Sequence, residues 1–501
     1  MALRWGYLGA GGIADIIATD FGHAGLKIQA VATSDMARTN VFADKFGIPN
    51  RHPDYAALVA DPEVDVIYIS TVQTLHRDHA LLAIEAGKHV LLEKPFTMNA
   101  ADAHEIYAAA KRKNVFVMEA MWTRFLPTMV AVFAASNFPL AFSVAGVDTA
   151  SALAAGCPVI AKAHPSHPNT CQAVYEAVVK GLTSQGFPKE LFAIVQGVSP
   201  EITHWLAKAP EITAIGFTGS GLVGKLLIKL AGERDIPIPV YAEMGSLNPV
   251  FFTPGALSEK ADELAKAAVD SALLGSGQFC TKPGIMVVSN DAAGDKFIAQ
   301  VQSYLSQQKV PPLLNKGIAN RFKEVITSLS KSKGLKVITG IANDDGFGVT
   351  PNIFVVDWAD VKNHDDLLEE HFGPTSVIIR APFDQYLTIA KAMAGQLGAA
   401  LHVQVGENVK ELVNQLTQLA GRIIWNGFPT AVSVTAAQNH GGQWPASSTH
   451  TTSVGLDALY RFVRPVVYQN FPENQLPAEL QNSNPYGIER IVNGQRSNTA
   501  I

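Results

Sequence analysis

Short apolar runs bounded by glycine or polar turns alternate with stretches of helical spacing along most of the chain. Leu3 to Leu8, Ile28 to Ala32, Val64 to Ser70, His89 to Leu92 and Val115 to Glu119 read as strands separated by helices. That alternation predicts a parallel, doubly wound sheet. It resumes further on, with strands over Val130 to Phe133, Pro158 to Lys162, Leu191 to Gln196 and Ile212 to Gly216. Helices are expected over Thr149 to Ala155, Gln172 to Gln185 and from Gly219 towards Leu230. A second α/β sheet follows from that pattern, and a long helix over Ser258 to Leu274 opens a third region. The last stretch, rich in Gly, Pro and Asn, shows no such periodicity. No internal repeat or low-complexity tract interrupts the pattern.

The first strand runs into Gly9-Ala10-Gly11-Gly12-Ile13-Ala14, a G-x-G-x-x-A turn that opens a helix. Gly9 and Gly11 let backbone approach a pyrophosphate, and the helix N-terminus offers N–H donors to it. The second strand ends at Thr33-Ser34 where a ribose-binding carboxylate is expected for NAD, and Arg38 lies nearby, which favours NADP at this site. Downstream, Ile212 to Gly216, the turn Phe217-Thr218-Gly219-Ser220 and the following helix repeat the strand, glycine turn and helix order that a phosphate site needs.

Cys280, in Gly277-Gln278-Phe279-Cys280-Thr281, is the candidate nucleophile, read as lying between a strand end and a polar turn. A thiolate attacks a carbonyl readily and leaves easily, which suits oxidation through a covalent adduct. The adduct oxygen is anionic, and a side-chain amide such as Asn137, with the Cys280 N–H, would stabilise it by about 3–4 kcal/mol. Glu243, in Tyr241-Ala242-Glu243-Met244-Gly245, fits the role of activating water against the resulting thioester. Alone, each has a structural reading: a core cysteine, a solvated carboxylate, an ordinary turn asparagine.

From Val130 onwards the chain resembles the aldehyde dehydrogenase superfamily, in its 2,5-dioxovalerate (α-ketoglutarate semialdehyde) dehydrogenase branch. The segments that carry the resemblance include GFTGSGLVGK, YAEMGSLNPVF, GSGQFCTKPG, EEHFGPTSV, HGGQWPASS and NPYGIERIVNG. The resemblance implies that Lys162 contacts the adenosine ribose, that Thr218, Gly219 and Ser220 lie along the nucleotide, and that Glu370 and Phe372 hold the nicotinamide ribose and ring. Pro165 stands where many NAD-preferring relatives have a ribose-binding glutamate, so NADP is tolerated or preferred over NAD. The C-terminal stretch is similar to a returning oligomerisation tail and implies a homo-oligomer.

Residues 1–129 resemble instead the glucose-fructose oxidoreductase and inositol dehydrogenase family, in a branch like dihydrodiol dehydrogenase. Glu93-Lys94-Pro95, His76 and Glu119-Ala120-Met121-Trp122 carry that resemblance. It implies a place for Lys94 beside nicotinamide and substrate. The chain thus reads as a fusion of two truncated oxidoreductases. The expected fold is α/β, with two Rossmann-like doubly wound parallel sheets plus an aldehyde dehydrogenase catalytic domain. Expected domains are 1–129, a dinucleotide-binding block; 130–245, a cofactor-binding region; 246–427, the catalytic thiol domain; and 428–501, the tail.

Composition narrows the partners. With 501 residues and 48% hydrophobic content the chain can bury several cores. A net charge of −5 without a basic tract argues against nucleic acid or an anionic membrane as partner. Met1 to Trp5 run directly into a strand, so a cytoplasmic location is expected. The cysteines, Cys157, Cys171 and Cys280, lack framework or C-x-x-C spacing, and His164 and His167 sit in a proline-punctuated loop, so no metal site is singled out. The expected activity is NAD(P)-dependent oxidation of a small-molecule aldehyde. Nucleotide binding without turnover and residual diol oxidation at Lys94 stand as alternatives.

Overall fold

The computed structural model describes residues 3–23, 25–120, 129–134, 141–361, 365–433 and 435–501. The chain divides into two compact units, Met1–Phe125 and Leu126–Ile501.

The first unit is built on a wholly parallel six-stranded sheet of β1 (Trp5–Leu8), β2 (Ile28–Ala32), β3 (Asn50–His52), β4 (Val66–Ile69), β5 (His89–Glu93) and β6 (Val117–Ala120). Their order is β3-β2-β1-β4-β5-β6, so the chain reverses direction across the sheet between β1 and β4. Ligands of such sheets bind outside the carboxyl ends of the strands at that switch point, where Gly9 lies. Leu8, Ala30, Ala32, Ile67, Ile69 and Leu92 pack on one face, and Tyr7, Val31 and Tyr68 on the other. Burial on both faces is why these strands read as near-continuous apolar runs. The pattern did not predict β3, whose Asn-Arg-His carries no apolar residue; it pairs with β2 as an edge strand.

The second unit carries two sheets. The first is parallel and five-stranded, with β7 (Met129–Phe133), β8 (Val159–Lys162), β9 (Phe192–Val195), β10 (Ile212–Thr218) and β11 (Val240–Glu243) in the order β11-β10-β7-β8-β9. The second contains β12 (Val250–Phe252), β13 (Ile285–Ser289), β14 (Lys336–Thr339), β15 (Asn352–Asp357), β16 (Thr375–Ala381), β17 (Gln396–His402) and β18 (Ala420–Trp425). Its order is β14-β15-β16-β13-β12-β17-β18, and only the β14–β15 pair is antiparallel. An antiparallel hairpin, β19 (Arg490–Val492) and β20 (Gln495–Ser497), lies near the C-terminus.

One helix sets the position of the thiol. Pro254–Leu273 starts where the Thr253 side chain accepts from the Ala256 N–H, with Pro254 in the first turn, and buries Leu257, Ala261, Leu264, Ala265, Ala268 and Ala272 at helical spacing. It stops because Gly275, Ser276 and Gly277 all take left-handed backbone conformations. Cys280 therefore follows a helix end and sits in a turn before β13, which corrects the strand end expected from sequence. Glycine is required at 277, since a Cβ there would fall 2.1 Å from the Gly373 carbonyl oxygen. That close approach sets the thiol turn against the Glu370 to Pro374 loop. Among the described residues no helix is long and apolar enough to cross a membrane, and no disulfide links the three cysteines.

Candidate active site

β10 delivers Thr218 to the glycine turn, and Ser220 caps the helix Gly221–Gly232, its hydroxyl accepting from the Val223 N–H at 3.5 Å. Thr218 is in register with Glu243 on β11, and the Gly219 N–H donates to the Glu243 carbonyl at 3.0 Å. Strand pairing alone thus places the phosphate-type turn and the candidate base at one edge of the sheet.

Asn248 holds the thiol turn. Its buried amide donates to the Cys280 carbonyl at 2.8 Å and the Lys282 carbonyl at 3.0 Å, from a left-handed backbone that asparagine tolerates. The Thr281 hydroxyl accepts from the Ala431 N–H at 2.9 Å. So fixed, the half-buried Cys280 Sγ lies 3.7 Å from His440 Nε2, and His440 Nε2 lies 3.0 Å from Glu243 Oε1. The Ser453 hydroxyl donates to Glu243 Oε2 at 3.4 Å. Burial, and then the Glu243 carboxylate, push the Cys280 thiol well above its ordinary range. Burial also pushes Glu243 up, but His440, the Cys280 thiol and Arg461 together outweigh it and hold the carboxyl below its usual value. The thiol is protonated at neutral pH and the carboxylate is ionised.

A cavity of about 680 Å³ reaches this group. Thr218, Gly219 and Ser220 line it together with Cys280 and Glu243, and Glu370 and Phe372 also face it. Glu370 accepts from the Ser246 backbone N–H, and a Cβ on Gly245 would stand 2.4 Å from its Oε2. Burial raises the Glu370 carboxyl towards neutrality although Lys282 opposes that shift. Lys282 Nζ donates to the His371 carbonyl at 3.0 Å and to the Thr375 carbonyl, so it ties the Glu370 loop to the thiol turn.

Lys162 is not brought to this cavity. It is buried, with Nζ donating to the carbonyls of Ala163 at 2.9 Å and Gly197 at 2.8 Å. Asn137 lies outside the described residues. In the first unit Gly9 has φ +104° and its N–H donates to Ala32, while a Cβ on Gly11 would meet nothing within 4 Å, which leaves open space above the turn. Arg38 reaches the Ser34 hydroxyl and the Ala10 carbonyl, each at 3.4 Å. Lys94 is half-buried at the end of β5, its N–H donating to Glu93 Oε2 at 3.1 Å. His76 is buried with its ring nitrogens against the carbonyls of Thr71, Pro95 and Phe96.

Sequence reasoning missed His440, Asn248 and Lys282. Their only signal is membership of HGGQWPASS, YAEMGSLNPVF and GSGQFCTKPG, segments that carry the family resemblance without marking these residues.

A family model described as the aldehyde dehydrogenase family matches residues 76–465. The chain belongs to that family. A second model, for an oxidoreductase family with an NAD-binding Rossmann fold, matches residues 3–121. The matches overlap at 76–121, a stretch whose β5 and β6 belong to the first unit's sheet. The chain is 40% identical over 371 residues to alpha-ketoglutaric semialdehyde dehydrogenase 2 of Azospirillum brasilense, spanning 73% of this chain and 71% of that enzyme. Over 135 residues it is 44% identical to the trans-1,2-dihydrobenzene-1,2-diol dehydrogenase of Mus musculus, spanning 26% of this chain and 40% of that enzyme. Among solved structures, PnpE in complex with nicotinamide adenine dinucleotide superposes with a TM-score of 0.57 at 22% identity, over 67% of each chain. The superposition bears out the α/β parallel-sheet architecture, and the two family models make the chain an oxidoreductase whose cofactor class is the nicotinamide dinucleotides.

Proposed function

We propose that the second unit oxidises a small oxo-carboxylic semialdehyde, of the 2,5-dioxovalerate type, to its carboxylate with NAD or NADP. The observation that carries this reading is the convergence on one cavity of the Cys280 thiol, the Glu243 carboxylate and the Thr218 to Ser220 turn. The substrate class rests on the likeness to the Azospirillum enzyme. The residues suit a dinucleotide: a capped helix N-terminus for phosphate, and a half-buried carboxylate, Glu370, facing the cavity for ribose hydroxyls.

The Glu243 carboxylate, which accepts from His440 Nε2–H and lies within hydrogen-bond reach of the Cys280 thiol, takes the thiol proton and passes it to solvent. The thiolate then adds to the aldehyde carbon, and Asn137 with the Cys280 N–H supports the oxyanion, a role carried over from the resemblance. When bound, the nicotinamide ring supplies the hydride acceptor. Glu243 then draws a proton from water, whose oxygen attacks the thioester on Cys280; the carboxylic acid leaves and the thiol is regenerated. Pro165 in the second unit, and Ser34 with Arg38 in the first, favour NADP.

The test follows NAD(P)H formation with 2,5-dioxovalerate, a simple aliphatic aldehyde and a cyclic diol in parallel. Turnover of the semialdehyde, lost in Cys280→Ala with cofactor binding kept, is the expected result. Unchanged turnover in Cys280→Ala would overturn it. Cofactor binding without turnover of any substrate would favour a nucleotide-binding role, and oxidation of the diol alone would move the activity to Lys94.

A further inference from the structure

We propose that Cys280, His440 and Glu243 form a site for a divalent cation of the zinc class. Their Sγ, Nε2 and carboxylate atoms lie within 4.8 Å of one another. Tetrahedral zinc, with bonds of about 2.3 Å to sulfur and about 2.0–2.2 Å to nitrogen and oxygen, spaces its ligand atoms about 3.3–3.6 Å apart. The Sγ to Nε2 distance of 3.7 Å has to close slightly, and the Nε2 to Oε1 distance of 3.0 Å to open by a few tenths of an ångström.

The donor set decides which cation fits. Thiolate with imidazole and one carboxylate suits zinc or cobalt, whereas magnesium and calcium take oxygen ligands. The frame is set before any metal arrives. Glu243 ends the edge strand β11, paired to β10, Asn248 pins the Cys280 turn, and the His440 N–H donates to the Thr452 hydroxyl at 2.8 Å while its carbonyl accepts from Ser453. Cys280 and Glu243 face the cavity, which gives a cation its way in and leaves a fourth position for water. On binding, the Cys280 thiol releases its proton to solvent and forms the metal–sulfur bond; the His440 proton moves from Nε2 to Nδ1 by way of solvent, so that Nε2 gives its lone pair to the metal, and no electron changes hands. The metal then occupies the sulfur that attacks aldehydes, so it is a reversible inhibitor. The binding geometry itself does not depend on the oxidation proposed above.

Cobalt(II) chloride titrated into the full-length, chelator-treated protein, kept reduced with a phosphine, reads the site directly. The expected result is a thiolate-to-cobalt charge-transfer band with the visible bands of four-coordinate cobalt, saturating at one equivalent and erased by zinc chloride. Cys280→Ser should lose the charge-transfer band, and His440→Gln should weaken binding about tenfold or more. The competing soft pair, Cys171 Sγ at 3.3 Å from His167 Nδ1, remains in both variants. A charge-transfer band that survives Cys280→Ser, or a six-coordinate spectrum in the unaltered protein, would overturn the site. If a variant does not fold, labelling decides. Zinc chloride should slow iodoacetamide alkylation of Cys280 in the unaltered protein about tenfold or more, measured on the Cys280 peptide, and unchanged labelling would equally refute the site.

Discussion

Replacing Arg461 with methionine tests how the C-terminal segment holds the site. The Arg461 and Asp148 side chains are 1% and 4% exposed, and Nη1 donates to Asp148 Oδ1 at 2.8 Å. Arg461 also donates from Nη2 to the Thr451 carbonyl at 3.0 Å and from Nε to the Thr451 hydroxyl at 3.2 Å, and lies 5.6 Å from the Tyr241 ring centroid. Methionine keeps much of the volume, so the dominant loss is electrostatic: a carboxylate left dry without its partner, which costs about 3–5 kcal/mol. Asp148 has little freedom to escape, because it packs against Gly216, where even a Cβ would stand 2.6 Å from it. The unfolded fraction of the second unit should therefore rise by roughly two to four decades at neutral pH, at about 1.4 kcal/mol per decade. Burial, the largest influence, already raises the Asp148 carboxyl against the pull of Arg461, and removing Arg461 raises it further. A carboxyl raised in the folded state binds more protons there than in the unfolded chain, so stability falls as pH rises above the unfolded value of about 3.9. The gap between variant and parent must therefore narrow as pH falls towards about 4. Urea unfolding of both proteins across that range measures it, with Asp148→Asn/Arg461→Met expected to recover part of the loss. A change below about 1 kcal/mol at neutral pH, or a gap independent of pH, would refute the reasoning.

Gly245→Ala should push the Glu370 carboxylate out of place, since the new Cβ falls 2.4 Å from Oε2; the expected outcome is a raised KM for the dinucleotide with little change in unfolding midpoint. Because burial raises Glu370, dinucleotide binding should strengthen as pH rises from about 6 to 8 and the carboxyl ionises; a flat affinity profile by fluorescence titration would remove Glu370 from the ribose site. In the first unit the Arg4 guanidinium holds Asp65 down to about 2, against burial. That pair's stabilisation is fully present above pH about 4 and lost as pH falls through about 2, so Arg4→Met should flatten the acid limb of unfolding followed by circular dichroism. Residues 1–129 and 130–501 should unfold in distinct calorimetric steps, each raised by dinucleotide, and a single cooperative transition would show one integrated fold.

What the sequence revealed depended on whether local pattern carried the feature. β4 and β7 are runs of consecutive apolar residues buried throughout, and each was legible from that run. The glycine turn after β10 was legible because strand, turn and helix follow one another within a few residues. β3 was not, since three polar residues at a sheet edge carry no alternation. The thiol and carboxylate were legible as residue types that the chemistry requires. Their partner His440 was not, being 160 residues from Cys280 and 197 from Glu243 in a segment without periodicity. Asn248 and Lys282 were hidden for another reason: both act by donating to backbone carbonyls, and a sequence does not show which carbonyls will converge. Lys162 shows the opposite limit. Its type and place matched the family pattern, yet its amine is satisfied by two carbonyls beside it.

The described groups of the candidate site all come from the second unit: the turn at 218–220, Glu243 and Asn248, the thiol turn at 280–282, the Glu370 loop, and His440 with Ser453. They are spread over more than two hundred positions, and what converts that span into one site is the pairing of β10 with β11 and the anchoring of Cys280 by Asn248. The C-terminal segment adds the last piece, because Arg461 binds Thr451 on the stretch that carries His440 and binds Asp148 at the other end of the nucleotide-type sheet's sequence. Loss of Arg461 should then lower turnover as well as stability, since it loosens the stretch that presents the imidazole to Cys280. The Lys94 turn, by contrast, is held by residues of the first unit alone, with Glu93 bonded to the Tyr68 hydroxyl at 2.8 Å and Glu119 accepting from the Phe96 N–H at 2.8 Å. A change at Lys94 should therefore leave aldehyde oxidation untouched, and a matching loss of turnover in Lys94→Ala would mean that the thiol site draws on a residue outside its own unit.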